Sequence, residues 1–559
     1  MVDEFNKNTW QRITRAQFVM LRYETEFTPC TGITAVTKQE RRYFANGVIV
    51  APWCSRLKRK PGDDPLERGK VRDTGDTLSV NGSPCKVLAT TDEFAPIIFL
   101  DVTGRFLGGE TPYDTPPEPP EDSLATLKRD TLYFALAVDA LLREARLEGA
   151  FVWGADWETV PALFLVRNRH YVSLTLHNTF DECLSTQADA FGDTFAPFCT
   201  SRDPSGSVQP SPTALQLGLE MADVVTTVNR GFAYGMRTER LQQDVMANHL
   251  QPLLGRVVGI NNAAFSTLNP ELIALKRNLR ETFEAGRDEL FEIKSRRLGE
   301  LPTYVKEKAV DKAIVVSMGR RVSQKQHDVL VESLRTILTA DRSFPILAVF
   351  ATVHGDAGSH ARLKRIQTLA AEYPSNVICE DGQLQYYKEL MAAADFNCMP
   401  SLYEPHGGAF EGTVVPIARA VDGLAEQICG LAPVGAAALF NARWHLAREA
   451  PAGFLFREPE GTKGFLFRQS KEPEEQSLAD QLKALLEESP SPDNSAFRAM
   501  RDSLTEVLRR AVTVRLDRRD EYARLVLAAL DKQEGTSWLV NLGGMLALVE
   551  QARSVRSLA

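Results

Sequence analysis

Residues 313–350 read AIVVSMGRRVSQKQHDVLVESLRTILTADRSFPILAVF, and this stretch decides the fold. It opens on four apolar residues, Ala313–Val316. A polar loop follows, then a helical pattern over Gln324–Ala340 and a second apolar run, Ile346–Phe350. Strands without polar alternation are buried on both faces, and two of them joined by a helix make a parallel β-α-β unit. The same alternation extends outward from this segment. Apolar runs occur at Gly47–Ala51, Pro96–Leu100, Tyr171–Leu176 and Asp223–Val228, with helical patterns at Asp130–Glu148 and Gln383–Ala394. The pattern predicts an α/β protein whose parallel sheets are covered by helices on both sides, and no period of 20–50 residues points to a solenoid.

A chain of 559 residues is too long for one core, so two large domains are expected. The charged helical run Asn269–Arg297 separates two β/α regions, which sets the boundary near residues 256–265. The organisation read from this is an N-terminal Rossmann-like domain over 1–258, a C-terminal one over 259–530, and a helical tail over 531–559. Pro112–Asp122 (PYDTPPEPPED) reads as an exposed loop. Gly453–Arg457 and Gly464–Arg468 both read GFLFR and are expected to pair as a hairpin. Ligands of doubly wound sheets bind at the carboxyl ends of the strands, here expected to face a cleft between the halves.

A formal charge of −8 leaves no basic footprint for nucleic acid or an anionic membrane. The eight cysteines form no C-x-x-C pair and the eight histidines no metal-binding helix motif, so no metal and no disulfide framework is expected. The polar N-terminus lacks the apolar core of a signal peptide, and Trp538–Leu548 is too short to span a bilayer. A cytoplasmic location is the expectation; a homo-oligomer is compatible with the sequence.

Four stretches carry candidate chemistry. Met399–Gly430 places Tyr403–Glu404–Pro405 after a strand, followed by Gly407, Gly408 and Ala409 at an expected helix start. Backbone amides there would cradle a phosphate, and Glu404 would take a sugar hydroxyl; the same glycines also fit an ordinary tight turn. In Ser317–Leu330, Arg320 and Lys325 lie five apart across a strand–loop–helix junction and can converge on a diphosphate, or else form a solvated surface pair. His177 closes the strand Tyr171–Leu176 and projects into the expected cleft or stays structural; Asp156 reads equally as a cleft residue or a helix N-cap. The Thr31–Gly32 turn of EFTPCTGI can approach a phosphate.

Taken in order, EFTPCTGITAV, ADWETVPALFL, SLTLHN, ADVVTTVNRGFA, GRRVSQKQHDVL, ADFNCMPSLYEPHGG and ARAVDGLAEQI resemble the glycogen/starch synthase family. That family carries, in the same order, K-T-G-G-L, H-D-W-x-T, T-I-H-N, A-D-x-V-T-T-V-S, S-R-L-x-x-Q-K-G, P-S-x-x-E-P-C-G and R-x-T-G-G-L. The match runs over roughly residues 20 to 475. The resemblance implies a GT-B fold, two Rossmann-like doubly wound domains facing a cleft, with the nucleotide sugar held mainly by the C-terminal half. It implies retaining transfer of glucose from ADP-glucose or UDP-glucose to an α-glucan or oligosaccharide acceptor, with no cofactor. By position, Arg320 and Lys325 match the diphosphate-binding pair, Glu404 the acid of E-P-C-G, and Gly407 and Gly408 the phosphate-binding amides. His177 matches the histidine beside the transferred sugar, Asp156 the aspartate of H-D-W, and Glu411 a ribose or base contact.

The departures from the family pattern are specific. Cys30 stands where K-T-G-G-L has lysine, Ile33 replaces a glycine and Ala155 the histidine of H-D-W. Asn262 keeps the asparagine of N-G-I-D, while Gly382 falls where an aromatic residue stacks on adenine, with Tyr386 or Tyr387 a turn away. Two other readings stand beside the main one. One is a retaining GT-B transferase using another nucleotide sugar and a small acceptor; the other is a catalytically degenerate glucan-binding relative.

Overall fold

The computed structural model describes residues 2–558 apart from 29–31, 58–62, 110, 114, 119–121, 204, 240, 264–267, 357, 383, 409, 430, 435–442, 447–451, 457–472, 488–493 and 536–537. The chain folds into two compact units. Unit 1 comprises Met1–Val228, His249–Asn262 and Trp538–Ala559; unit 2 comprises Asn229–Asn248 and Ala263–Ser537. Neither is a continuous stretch: the segment after the last long strand of unit 1 belongs to unit 2, and the C-terminal helix belongs to unit 1.

Among the described residues, unit 1 holds a nine-stranded sheet. Its strands are β1 (Phe18–Leu21), β2 (Gly47–Pro52), β3 (Val71–Val80), β4 (Ser83–Thr90), β5 (Ile97–Val102), β6 (Phe151–Ala155), β7 (Tyr171–Leu176), β10 (Val224–Thr227) and β11 (Val257–Gly259). A short hairpin, β8 (Ser201–Arg202) with β9 (Val208–Gln209), stands apart from it. The order is β11-β10-β7-β6-β1-β2-β5-β4-β3, parallel throughout except where β4 and β3 extend the edge antiparallel. The parallel strands β2, β6 and β7 are buried almost end to end; β2 and β6 are unbroken apolar runs, while β7 buries Ser173 and Thr175 as well. The helix Trp538–Leu558 packs Leu542, Met545 and Val549 into the same core as Met20, Ile49, Phe99 and Trp153. Spaced three and four apart, these three form the apolar stripe of an amphipathic helix, each contributing about 1.5–3 kcal/mol of burial. No described helix is long and apolar enough to cross a membrane.

Among the described residues, unit 2 is built on a fully parallel six-stranded sheet. Its strands are β12 (Ala313–Arg320), β13 (Ile346–Val353), β14 (Val377–Asp381), β15 (Phe396–Met399), β16 (Val415–Arg419) and β19 (Phe454–Phe456), in the order β14-β13-β12-β15-β16-β19. A two-stranded ribbon, β17 (Leu431–Val434) with β18 (Arg443–Leu446), is separate. The helical reading of 324–340 resolves into a tight turn, Ser323–Lys325, and the helix His327–Ala340. The charged run becomes two helices, Pro270–Glu281, capped by Asn269, and Phe283–Gly299. They meet at Gly286, where a Cβ would lie 2.5 Å from the Leu279 nitrogen.

One expectation about irregular segments is corrected and another lies outside what the structure describes. Phe454–Phe456, inside the first GFLFR copy, pairs parallel with β16, while the second copy, and with it the expected hairpin, lies outside the described residues. The proline-rich loop is not simply exposed, because Tyr113 stacks on Tyr23 at 6.0 Å and Thr115 is buried.

Candidate functional site

The carboxyl end of the unit 2 sheet gathers most of the residues singled out in sequence. β12 ends at Arg320, whose side chain is exposed and makes no ion pair among the described residues. The Arg320 carbonyl is held by His327, whose Nε2 lies 3.3 Å away while its Nδ1 lies 3.2 Å from Ser317 Oγ. Burial pushes His327 down to about 4, so the ring is neutral; Nε2–H donates to the carbonyl and Nδ1 accepts from the serine. A buried histidine thereby fixes the backbone from which Arg320 projects. The neighbouring Arg321 turns inward, donating to Thr352 O at 3.0 Å and to Asp381 at 2.6 Å.

Lys325 is brought onto Glu404. Its Nζ forms an ion pair with Oε2 of Glu404, which also accepts a hydrogen bond from Ser401 Oγ at 3.0 Å. The two loops are stitched by backbone as well. Gln324 Nε2 donates to Tyr403 O at 3.0 Å, and Leu402 N–H donates to Gln324 O at 2.9 Å. The Lys325 side chain is 19% exposed and that of Glu404 10%, so the lysine is less open than a cation free at a cleft surface. Immediately after it, Gln326 adopts φ 47°, ψ 40°, at the position where S-R-L-x-x-Q-K-G has glycine. Its amide donates to Ser323 O at 2.7 Å and to Leu485 O at 3.1 Å, which holds a conformation that costs a side chain roughly 1–2 kcal/mol.

The expected helix after Gly407 and Gly408 does not form. Past Ala409, which lies outside the described residues, the chain makes a turn and enters β16 at Val415. Consecutive β-branched residues and a proline, Thr413–Val414–Val415–Pro416, favour a strand and leave no room for a helical turn. The nearest following helix is Asp422–Cys429. Gly407 itself sits at φ 71°, and a Cβ there would lie 2.7 Å from Glu404 Cγ and 2.8 Å from Leu424 Cδ2, so only glycine fits. Among the described residues nothing accepts the N–H of Gly407 or Gly408, while their carbonyls accept from Gln427 Nε2 at 3.0 Å and Asn397 Nδ2 at 3.3 Å. The two amides are open to an anion, without the added dipole of a helix start.

Glu411 accepts a hydrogen bond from Tyr387 Oη at 2.9 Å, and burial holds its carboxyl above the ordinary range. Tyr387, 38% exposed, is therefore the tyrosine brought to the candidate ribose-binding acid. Tyr386 instead donates to Glu380 at 2.8 Å and lies 2.7 Å from Tyr304 Oη. Gly382 has φ 104° and open space where a Cβ would point.

In unit 1, Asp156 and His177 form a pair at the carboxyl ends of β6 and β7. Asp156 is not the N-cap of the helix that follows it; that position is Ala155, with no side-chain cap. Instead Asp156 takes φ 57° and turns its carboxylate to β7, accepting His177 N–H at 2.7 Å, with His177 Nδ1 3.2 Å from the other oxygen. Burial, followed by the charge of Asp156, holds the neighbouring Glu158 carboxyl well above the ordinary range. His177 borders a recess of about 270 Å³ including its open mouth, lined also by Thr175, Thr227, Asn262 and Asn541. Gly32 starts the helix Gly32–Tyr43, whereas Cys30 and Thr31 lie outside the described residues. Among the described residues no group of three His, Cys, Asp or Glu side chains could hold a metal ion.

The sequence reading passed over Asp422 and His327, and it left open which of Tyr386 and Tyr387 serves the site. A signal for Asp422 was present: it occupies the first glycine position of R-x-T-G-G-L and keeps the backbone that glycine would adopt, φ 42°.

Two largely parallel sheets, with the candidate residues at the carboxyl ends of their strands, define the class: an α/β protein with the GT-B fold. Solved structures of the same fold include the catalytic domain of starch synthase IV from Arabidopsis thaliana, bound to ADP and acarbose. It is 16% identical with a TM-score of 0.55, covering 89% of this chain and 99% of that one. Sucrose-phosphate synthase from Thermosynechococcus elongatus is 15% identical with a TM-score of 0.51, covering 97% and 100%. Among curated sequences, the glycogen synthase of Lactococcus lactis is 23% identical over 320 residues, 54% of this chain and 63% of that protein. The glycogen synthase of Streptococcus pneumoniae is 27% identical over 226 residues, 39% and 44%. The chain thus spans less than two thirds of the length of these relatives. No family model matches it. In sequence the chain is thus similar to glycogen synthases, and in fold to starch synthase IV and sucrose-phosphate synthase.

Proposed function

We propose that the chain is a retaining glycosyltransferase that moves glucose from a nucleotide-glucose donor to an α-glucan or oligosaccharide acceptor. The observation that carries the reading is the Lys325–Glu404 pair beside the exposed Arg320 and the open amides of Gly407 and Gly408, at the carboxyl end of a parallel sheet. A diphosphate entering this site offers Lys325 a more highly charged partner than one carboxylate. Glu404, released from the lysine, is then free to accept glucosyl hydroxyls. During transfer the bond from the anomeric carbon to the diphosphate oxygen breaks, and its electron pair stays on the phosphate. Arg320, Lys325 and the glycine amides stabilise that developing charge. The acceptor hydroxyl oxygen bonds to the same face of the sugar and its proton passes to the departing phosphate oxygen. No second carboxylate is required, unlike glycoside hydrolysis. His177, held by Asp156, is assigned to the transferred sugar.

Incubation with ADP-glucose or UDP-glucose and a malto-oligosaccharide, followed by proton NMR of the product, tests this. The reading predicts a new α-glucosidic linkage; a β linkage excludes retention. The missing helix after Gly408 favours a second reading, a degenerate glucan-binding relative, which predicts oligosaccharide binding without turnover of either donor.

A further inference from the structure

The Asp422–Gly423 step grips the backbone of Glu404 from both sides. Asp422 Oδ2 accepts the Glu404 N–H at 3.1 Å, and the Gly423 N–H donates to the Glu404 carbonyl at 3.1 Å. The packing leaves no slack around this clamp. A Cβ on Gly423 would lie 2.7 Å from the carbonyl oxygens of Pro405 and His406. Asp422 makes its bond from a left-handed backbone, φ 42°, which a side chain disfavours and the glycine of R-x-T-G-G-L would adopt freely. It is also 7% exposed, and its second oxygen, Oδ1, is buried without a hydrogen-bond partner among the described residues. That oxygen faces the helix Arg230–Thr238. A Cβ on Gly235 would fall on Oδ1, and one on Gly231 would lie 2.6 Å from the Asp422 carbonyl oxygen. Two glycines one turn apart make room for this one side chain. Strain, burial and an orphan oxygen all oppose an aspartate here. What it provides and glycine cannot is an acceptor for the Glu404 N–H.

We propose that Asp422 is a positioning residue for Glu404, fixing the carboxylate that recognises the glucosyl part of the donor, independently of the groups that hold the diphosphate. The inference rests on the donor-site reading above. Burial pushes the Asp422 carboxyl up to about 7, against the pull of the Glu404 N–H and of Arg419, so a neutral asparagine is a close mimic of its protonated form.

Calorimetric titration of the full chain with ADP, UDP, ADP-glucose and UDP-glucose tests this, comparing wild type with Asp422→Gly and Asp422→Asn. The readout is the ratio of sugar-nucleotide to nucleotide affinity, which a merely structural role would leave unchanged. Asp422→Gly is expected to lower sugar-nucleotide affinity by about tenfold while ADP and UDP affinities stay within about threefold, and Asp422→Asn to keep both within about threefold. Should the glycine variant not fold, Gly235→Ala, which displaces the Asp422 carboxylate without removing it, is expected to lower the ratio in the same way. An unchanged ratio in the glycine variant overturns the proposal, as does a parallel loss of nucleotide and sugar-nucleotide affinity. A wild-type chain that binds none of the four overturns the donor-site reading and this inference with it.

Discussion

Replacing Lys325 by alanine leaves the Glu404 carboxylate in a site where its side chain is 10% exposed, with Ser401 Oγ as its remaining side-chain partner among the described residues. Removing one member of a fully buried pair costs about 3–5 kcal/mol. Here the lysine is 19% exposed, so water reaches the pair from its side, and about 1–3 kcal/mol is the expected loss. Converting Glu404 to glutamine as well removes the stranded charge. The double variant should then recover much of that loss, giving a coupling of about 1–2 kcal/mol in a double-mutant cycle measured by urea unfolding. Activity should follow the opposite rule. Each single variant and the double variant lose one or more transition-state contacts, so nucleotide release from ADP-glucose or UDP-glucose with malto-oligosaccharide present falls by at least about a hundredfold in all three. Stability that recovers while turnover does not is the signature of a pair maintained for function. A Lys325→Ala protein with near-normal turnover refutes the assignment of Lys325, and one as stable as wild type refutes the reasoning about the pair.

Arg320→Ala removes an exposed cation with no ion pair among the described residues and is expected to change stability by less than about 0.5 kcal/mol while lowering turnover by about a hundredfold, read by the same two assays. Activity should persist in excess EDTA; loss on chelation with rescue by Mn²⁺ or Mg²⁺ would require a metal-dependent mechanism. Base discrimination should be weak, with ADP-glucose and UDP-glucose used within about tenfold in competition at equal concentration, and Tyr387→Ala should weaken both by a similar factor of about ten. Burial pushes Asp130 up to about 7 from an unfolded value of 3.8, so the stability this group contributes is complete below about pH 4 and is lost as pH rises through 7. Asp130→Asn should flatten that slope, by a few kcal/mol at most, in urea melts at pH 5 and pH 8.

The parallel sheets were legible because most of their strands are buried on both faces and read as apolar runs. Tyr171–Leu176 is found at the bounds read for it, and Ala313–Val316 extends through Ser317–Arg320. Less legible was everything that depends on chain distant in sequence. Nothing local to Trp538–Leu558 says that its apolar stripe belongs with Met20 and Trp153 in unit 1, more than 380 residues away. The segment after Gly408 misled in a different way. Its motif matches one normally followed by a helix, yet the β-branched run Thr413–Val415 carries the chain into a strand. Asp156 shows the limit of local chemistry. An acid before a helix reads as an N-cap, and only the adjacent strand end reveals that its carboxylate serves His177. Asp422 was hidden by similarity itself, since an aspartate at a glycine position reads as a departure until its bond to Glu404 is known.

Thermal unfolding with ADP-, UDP- and GDP-glucose tests the proposed donor site of unit 2 most directly. A donor present at about a hundred times its dissociation constant stabilises the chain by about 2.7 kcal/mol, a shift of several degrees. The account predicts such a shift with ADP-glucose and UDP-glucose and its loss in Arg320→Ala. No shift with any of the three in the wild-type chain, or an equal shift in Arg320→Ala, would contradict it.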